Sequence, residues 1–211
     1  MSFQGKVRAK CPRQCDEWDA DVWTFIDGGK DEGLREALLA GDLNFVSCPE
    51  CGGLFYPEAT VIYYDAGRGL LAFVLPETYR AEESRWRGKM AEDYEQMRKL
   101  LGDAAGPARL EPKIYFGMET LRSELEAEDL IEDEVEIAKL LAKELKAKLY
   151  EVDRTFARER SLPWLLPHRG AVSVASLRQG LEDLLEKNDR LESYRRWLKS
   201  LSADPSLPPR R

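Results

Sequence analysis

The sequence predicts an α+β protein, with a strand-rich N-terminal part followed by a helical C-terminal region. Two observations lead to this class. Short apolar segments of strand character, separated by turn-forming residues, occupy much of the first 76 residues. From about residue 79 onwards, apolar residues recur at spacings of three or four, the period of an amphipathic helix. A chain of 211 residues can form one large or two small domains.

Four cysteines are the only ones in the chain, and they form two close pairs. The first pair is Cys11-Pro-Arg-Gln-Cys15, and the second is Cys48-Pro-Glu-Cys51. Two close pairs separated by a longer insert are typical of a four-thiolate metal site. Four sulfur ligands would complete a tetrahedron around Zn²⁺ and leave no open position. We therefore predict a structural zinc ion bound by all four residues.

The residues beside the cysteines favour tight turns. Pro12 and Pro49 preset φ directly after the leading cysteines. Gly52 and Gly53 are expected to supply positive φ where the backbone curls towards the sulfurs. Three alternatives remain open, namely disulfides, a redox dithiol and unliganded thiols. The first pair has three intervening residues, which is still within the usual ligand spacing of roughly two to four.

The elements of the N-terminal part follow in order. Residues 6–11 and 21–27 are predicted strands, and Asp31 is predicted to cap a short helix that ends at Gly41. Residues 44–47 are predicted to return as a strand that leads to Cys48. The predicted hairpin pairs residues 59–64 with 70–75 across a five-residue turn, and Pro76 ends its second strand. These elements together predict a zinc-ribbon-like domain extended by a hairpin and carrying an inserted helix.

Several motifs resemble those of a known family. They are Cys-Pro-x-Cys-Gly at 48–52, Tyr63-Tyr64-Asp65, the strand end Leu75-Pro76 and Lys113–Gly117. Together they resemble the CpXC domain, a bacterial and archaeal module named for its paired Cys-Pro motifs. The resemblance extends over roughly residues 5–150 and implies the fold and the metal, but no established biochemical activity. The chain departs from the family pattern in its first pair, where the cysteines stand one residue further apart.

The remaining elements are predicted to be mainly helical. Residues 79–101 are a predicted helix, 102–112 a linker rich in glycine and proline, and 113–116 a short strand. One helix is predicted to start at Thr120, and another to cover residues 132–150. Residues 161–170 interrupt the pattern. Ser173 precedes the longest predicted helix, whose apolar face extends from Leu177 to Leu201.

The predicted domains are a CpXC-like domain over residues 1–110 and a helical region over 111–205. Within the helical region, residues 111–150 are family-like and 151–205 are additional helices. Residues 206–211 are expected to be disordered. If zinc folds the first domain, Cys48→Ser or Cys51→Ser should collapse residues 5–76 more than the C-terminal helices.

Charge and composition bear on location and partners. Residues 1–76 contain 7 basic and 12 acidic residues, and such an acidic module repels a phosphate backbone, so nucleic acid is a disfavoured partner. No segment approaches 18 consecutive apolar residues, and residues 1–6 lack the apolar segment of a secretory signal. Four thiols suit a reducing compartment. We therefore expect a cytoplasmic protein without membrane contact.

No sequence motif indicates catalysis. His168 is the only histidine and is interpreted as a loop residue, while the acidic clusters at 126–129 and 132–134 are interpreted as solvated helix starts. The aromatic residues Tyr63, Tyr64 and Phe73 are expected in the core rather than stacked on bases. An enzyme with unrecognised residues is the least favoured hypothesis.

The favoured function is a non-enzymatic protein-interaction module, stabilised by zinc, that docks another protein through the C-terminal amphipathic helix. A zinc ribbon associated with nucleic acid or the transcription machinery is the alternative. The sequence leaves the pathway, the partner's identity and the oligomeric state open.

Overall fold

The computed structural model describes residues 1–101 and 110–210. The chain divides into two compact units, Met1–Glu124 and Leu125–Arg211. The first unit is rich in strands and the second in helices, which confirms the predicted α+β class. The boundary differs from the one predicted after residue 110, because the strand at 112–116 joins the sheet of the first unit.

A five-stranded mixed sheet forms the framework of the first unit. Its strands are β1 (Phe3–Ala9), β2 (Trp18–Asp27), β5 (Val61–Asp65), β6 (Leu70–Leu75) and β7 (Pro112–Phe116), in that spatial order. The pairs β1–β2 and β5–β6 are antiparallel, whereas β2–β5 and β6–β7 are parallel. The predicted hairpin is confirmed as β5–β6. Every residue of β6 is buried, as expected of a strand near the middle of a sheet.

The connection from β2 to β5 carries the inserted elements, which are α1 (Glu32–Ala40) and two two-residue strands, β3 (Val46–Ser47) and β4 (Leu54–Phe55). Gly41 ends α1 as predicted. Its φ is 80°, a left-handed conformation that residues with a side chain rarely adopt. Asp31 occupies the predicted N-cap position of α1, but its side chain does not cap the helix. The Asp31 carboxylate makes no capping bond and accepts hydrogen bonds from the backbone N–H and hydroxyl of Ser2.

A 3₁₀ helix (Glu77–Glu82) and α2 (Glu83–Leu101) follow Pro76, in agreement with the predicted helix over 79–101. The predicted strand at 113–116 is confirmed as β7. Most of the predicted linker, residues 102–109, lies outside the described residues.

The structure corrects the two helices predicted between Thr120 and Tyr150. A single helix, α3 (Met118–Glu144), covers most of this range, and residues 148–151 form strand β8 (Lys148–Glu151). Lys146 adopts a φ of 54°, and the N–H of Ala147 donates to the carbonyl of Ala142, which terminates the helix in a Schellman-type turn. The leucine period continues past this turn, but residues 148–151 pair with strand β9 (Leu165–His168) instead.

The long C-terminal helix predicted after Ser173 consists of two helices, α5 (Val174–Lys187) and α6 (Glu192–Ala203). Ser173 caps α5 through a reciprocal capping box with Ser176. Both helices bury their apolar faces in the second unit, together with β8, β9 and a short helix α4 (Arg154–Glu159). Leu177, Tyr194 and Trp197 are at most 1% exposed.

The expectation of a disordered tail is wrong for residues 206–210. Pro208 is buried, and its carbonyl accepts a hydrogen bond of 2.7 Å from the hydroxyl of Tyr150. The carbonyl of Pro209 accepts another from the N–H of Asp153. Proline has no N–H to satisfy, so a proline-rich segment can pack when donors reach its carbonyl groups. Among the described residues, no helix is both long and apolar enough to cross a membrane.

Candidate metal centre

The structure brings the four predicted ligands together. The Sγ atoms of Cys11, Cys15, Cys48 and Cys51 all lie within 4.8 Å of one another. Cys11 and Cys48 are buried, whereas Cys15 and Cys51 are partly exposed. No other group of three or more histidine, cysteine or acidic side chains in the described chain is arranged to hold a metal ion.

The distances between the sulfur atoms distinguish a metal site from a disulfide. The Sγ atoms of Cys11 and Cys51 are 3.6 Å apart, and all four thiols are free. A disulfide requires about 2.05 Å between sulfur atoms. In a zinc tetrahedron with bonds of about 2.3 Å, neighbouring sulfurs lie about 3.8 Å apart, close to the Cys11–Cys51 distance.

The first cysteine turn accommodates its extra residue through a left-handed backbone conformation at Gln14. Gln14 has a φ of 61°, and its N–H donates to the carbonyl of Cys11 at 3.0 Å. The N–H of Arg13 points to the Sγ atom of Cys11 at 3.4 Å. The three intervening residues therefore do not prevent Cys15 from joining the cluster.

The second cysteine turn is closed by hydrogen bonds from Gly52 N–H to Cys48 O at 2.9 Å and from Cys48 N–H to Gly53 O at 2.8 Å. Gly52 has the positive φ expected from the sequence, 66°, but Gly53 is not among the glycines with positive φ. Gly53 instead leaves space. A Cβ atom there would lie 3.3 Å from Cys51 Sγ and 3.6 Å from Arg13 Nε.

Side chains distant in sequence hold the two turns side by side. Trp18, at the start of β2, packs edge-on against Phe55 of β4, with ring centroids 5.7 Å apart. The N–H of Asp16 donates to the carboxylate of Glu50 at 3.0 Å. The side-chain amide of Asn44 forms two hydrogen bonds with the backbone of Trp23. It accepts from the Trp23 N–H at 2.7 Å and donates to the Trp23 carbonyl at 2.9 Å.

Sequence analysis did not identify Asn44 or Arg13 as part of the site. Asn44 has a φ of 61°, a conformation that asparagine tolerates better than most residues. Asn44 is one of only two asparagines in the sequence and stands four residues before Cys48. This position was the one feature of the sequence that could have indicated its role.

The pKa values of the Cys15 and Cys51 thiols are shifted in opposite directions. A hydrogen bond from the backbone of Gly53 lowers the pKa of the Cys51 thiol to about 7. A hydrogen bond with Cys51, reinforced by burial, raises the pKa of the Cys15 thiol above its usual range. Thiolate is the form that binds metal. The lowered pKa therefore favours the metal-binding thiolate form of Cys51 at neutral pH.

The other residues considered as functional candidates from the sequence lie in secondary-structure elements and take part in packing or in contacts within the fold. His168 is in strand β9 rather than in a loop and is 5% exposed. The acidic clusters lie within α3, where Glu128 forms an ion pair with Arg158 and Glu134 accepts hydrogen bonds from Ser193. Tyr63, Tyr64 and Phe73 are buried, as expected for core residues.

The fold and the cluster define a strand-rich module whose four cysteines suggest a metal-binding centre. The CpXC protein family matches residues 9–151, which include all four cysteines and more than half of the chain. The chain therefore belongs to the CpXC family, and the resemblance drawn from its motifs is confirmed. Comparisons with curated proteins and with solved structures gave no match.

Proposed function

We propose that the protein is a non-enzymatic protein-interaction module whose first unit is stabilised by one structural Zn²⁺. The observation that carries the proposal is the convergence of the four sulfur atoms within 4.8 Å. Soft thiolate ligands in a tetrahedral arrangement select zinc or an iron–sulfur cluster, and a closed site has no position for a substrate.

The residues present fit zinc. Four sulfur donors match the usual ligand number, and backbone N–H groups at Arg13 and Gly53 point to the sulfurs of Cys11 and Cys51. When bound, the ion would supply a cross-link between the two turns. Free thiols reserved for metal persist in a reducing compartment, so we place the module in the cytoplasm.

The test is elemental analysis of the purified protein, with refolding in cobalt(II) as a second measurement. We expect one zinc ion per chain and, with cobalt, the intense sulfur-to-metal absorption of a four-thiolate site. Cys48→Ser should remove the metal, whereas Ser47→Ala, a neighbouring exposed substitution, should retain it. Less than a tenth of an ion per chain in the unchanged protein would contradict the zinc proposal, and iron with acid-labile sulfide would replace it.

The interaction role also needs a surface. The apolar faces of α5 and α6 suggested the C-terminal helix as that surface, but these faces form the core of the second unit. Deleting that region would therefore expose a core rather than remove a docking site. No specific observation favours nucleic-acid binding, since the aromatic residues considered for base stacking are buried.

A further inference from the structure

An apolar surface lies beside the metal centre, on the β3–β4 hairpin. Phe45, Leu54 and Tyr56 are 42%, 62% and 52% exposed, and we call these three residues the knuckle face. Ser47 pairs with Leu54 and Val46 with Phe55, so alternation places the three side chains on the same side of the hairpin. The rings of Phe45 and Tyr56 have centroids 4.8 Å apart.

The knuckle face leads into a groove within the first unit. Tyr56, Pro57 and Glu58 line one side of this groove, which has a volume of about 660 Å³. Its floor includes the buried side chains of Leu38, Leu43 and Val74, from α1, the following loop and β6. A large apolar side chain could therefore enter the groove beside Tyr56.

The segment that carries the knuckle face has charges of one sign, although Arg122 also lines the groove. The segment from residue 41 to residue 60 contains three acidic residues and no lysine or arginine. All three, Asp42, Glu50 and Glu58, are exposed. Glu50 accepts from the Asp16 N–H and Glu58 from the Thr78 hydroxyl, and no described cationic group forms a salt bridge with any of the three. The segment that carries the exposed apolar surface is therefore acidic.

We infer that the knuckle face and its groove bind a basic, apolar peptide segment of another protein. The segment would place a large apolar side chain in the groove and lysine or arginine side chains beside Asp42, Glu50 and Glu58. Opposite charges steer such an encounter, while burial of the apolar side chain supplies most of the affinity. This inference rests on the proposed interaction role and specifies the partner's chemistry.

The experiment is selection of a displayed library of random 12-residue peptides on the full-length, metal-loaded protein. We expect the enriched peptides to combine a large apolar residue with at least two lysines or arginines. The best peptide, labelled with fluorescein, is then measured by anisotropy. Leu54→Ser should weaken its binding about tenfold, because one largely exposed leucine leaves the interface. Asp42→Asn combined with Glu58→Gln should weaken it several-fold, with a reduced salt dependence.

A matched control variant tests whether the effect of Leu54→Ser is specific to the knuckle face. Leu100 is 86% exposed on α2 of the same unit, so Leu100→Ser should leave binding unchanged. Equal weakening by Leu100→Ser and Leu54→Ser, enrichment of acidic or uncharged peptides, or no enrichment would each overturn the inference. So would a dimer in sedimentation analysis that Leu54→Ser abolishes, because a second copy would then cover the face.

Metal content is measured for every variant, which separates this inference from the zinc proposal. Leu54→Ser with one metal ion per chain and weakened peptide binding supports the docking surface. An unchanged protein that contains no metal contradicts the zinc proposal whatever the peptide result.

Discussion

Loss of the metal should unfold the cysteine turns and leave the five-stranded sheet folded. The change is Cys48→Ser, or zinc removal with a chelator, in the full-length protein. Sequence analysis alone predicted collapse over residues 5–76. The structure restricts the effect, because β1, β2, β5, β6 and β7 contain no cysteine and pair with one another directly.

The expected magnitude follows from what supports each part. Strands β3 and β4 have two residues each, and an isolated two-stranded hairpin is marginal in water. A structural zinc ion contributes about 10 kcal/mol or more in small zinc modules, so its removal eliminates the main support of this region. The sheet keeps fully buried side chains such as Ile26, Tyr63 and Leu71, each stabilising by about 1.5–3 kcal/mol.

The assay is amide hydrogen exchange resolved to single residues or short peptides. The reporters are the hydrogen-bonded amides of Gln14, Cys48 and Gly52 in the turns. Their protection should fall by more than about 100-fold, which corresponds to about 2.7 kcal/mol of local stability. Amides of β5 and β6, and those of α5 in the second unit, should change by less than about threefold. Ser47→Ala is the control and should alter neither set.

Two results would refute this reasoning. Equal loss of protection in the turns and in β5–β6 would mean that the metal holds the whole first unit together, as the sequence alone suggested. Unchanged protection in the turns would mean that hydrogen bonds and the Trp18–Phe55 contact suffice without an ion.

Three further predictions concern Arg13, two glycines and a buried tyrosine. Arg13→Gln should weaken zinc binding about tenfold in a competition with a chromophoric chelator, because its guanidinium group lies beside Gly53, whose backbone donates a hydrogen bond to Cys51. Lys10→Gln should have little effect, and equal affinities for both variants would contradict this role. Gly180→Ala should destabilise the second unit by about 1–3 kcal/mol in urea denaturation, because a Cβ atom would lie 2.6 Å from the carbonyl carbon of Pro167. Gly88→Ala in α2 is the matched control; its Cβ atom would enter open space, and the change should stabilise the protein by about 0.5–1 kcal/mol. Stabilisation by both variants would refute the steric argument. Burial raises the pKa of Tyr63 to about 12, so its neutral form is favoured in the fold, and its contribution to stability is complete below pH 10 and lost as the pH rises towards 12. Denaturation between pH 8 and 11.5 should show a steeper alkaline loss in the unchanged protein than in Tyr63→Phe, and parallel curves would exclude this cause.

Local chemistry explains what the sequence predicted correctly. The β5–β6 hairpin, the end of α1 at Gly41 and the capping of α5 by Ser173 each depend on residues close together in the chain. The four cysteines could be grouped because ligand spacing within each pair is also local. Asn44 and Arg13 could not be assigned, since their roles arise only when segments more than 20 residues apart meet.

Helix ends were missed where apolar spacing continues through a break. Leu145 and Leu149 extend the stripe of α3, yet Lys146 turns the chain and β8 pairs with β9. The break between α5 and α6 is similar, because Leu191 keeps the apolar period while Asn188 accepts a hydrogen bond from the N–H of Arg190. Periodicity therefore locates the buried face better than it locates helix ends.

The same limit applies to the docking surface. An amphipathic helix has a face that avoids water, but its sequence does not specify whether the chain's own core or a partner covers that face. In this chain Tyr194 and Trp197 of α6 belong to the core of the second unit. The knuckle face gave no comparable signal. Phe45 directly precedes β3, Leu54 begins β4 and Tyr56 directly follows β4, so the three residues come from segments on either side of a cysteine turn. Their exposure on an acidic segment is the stronger reason to look for a partner there.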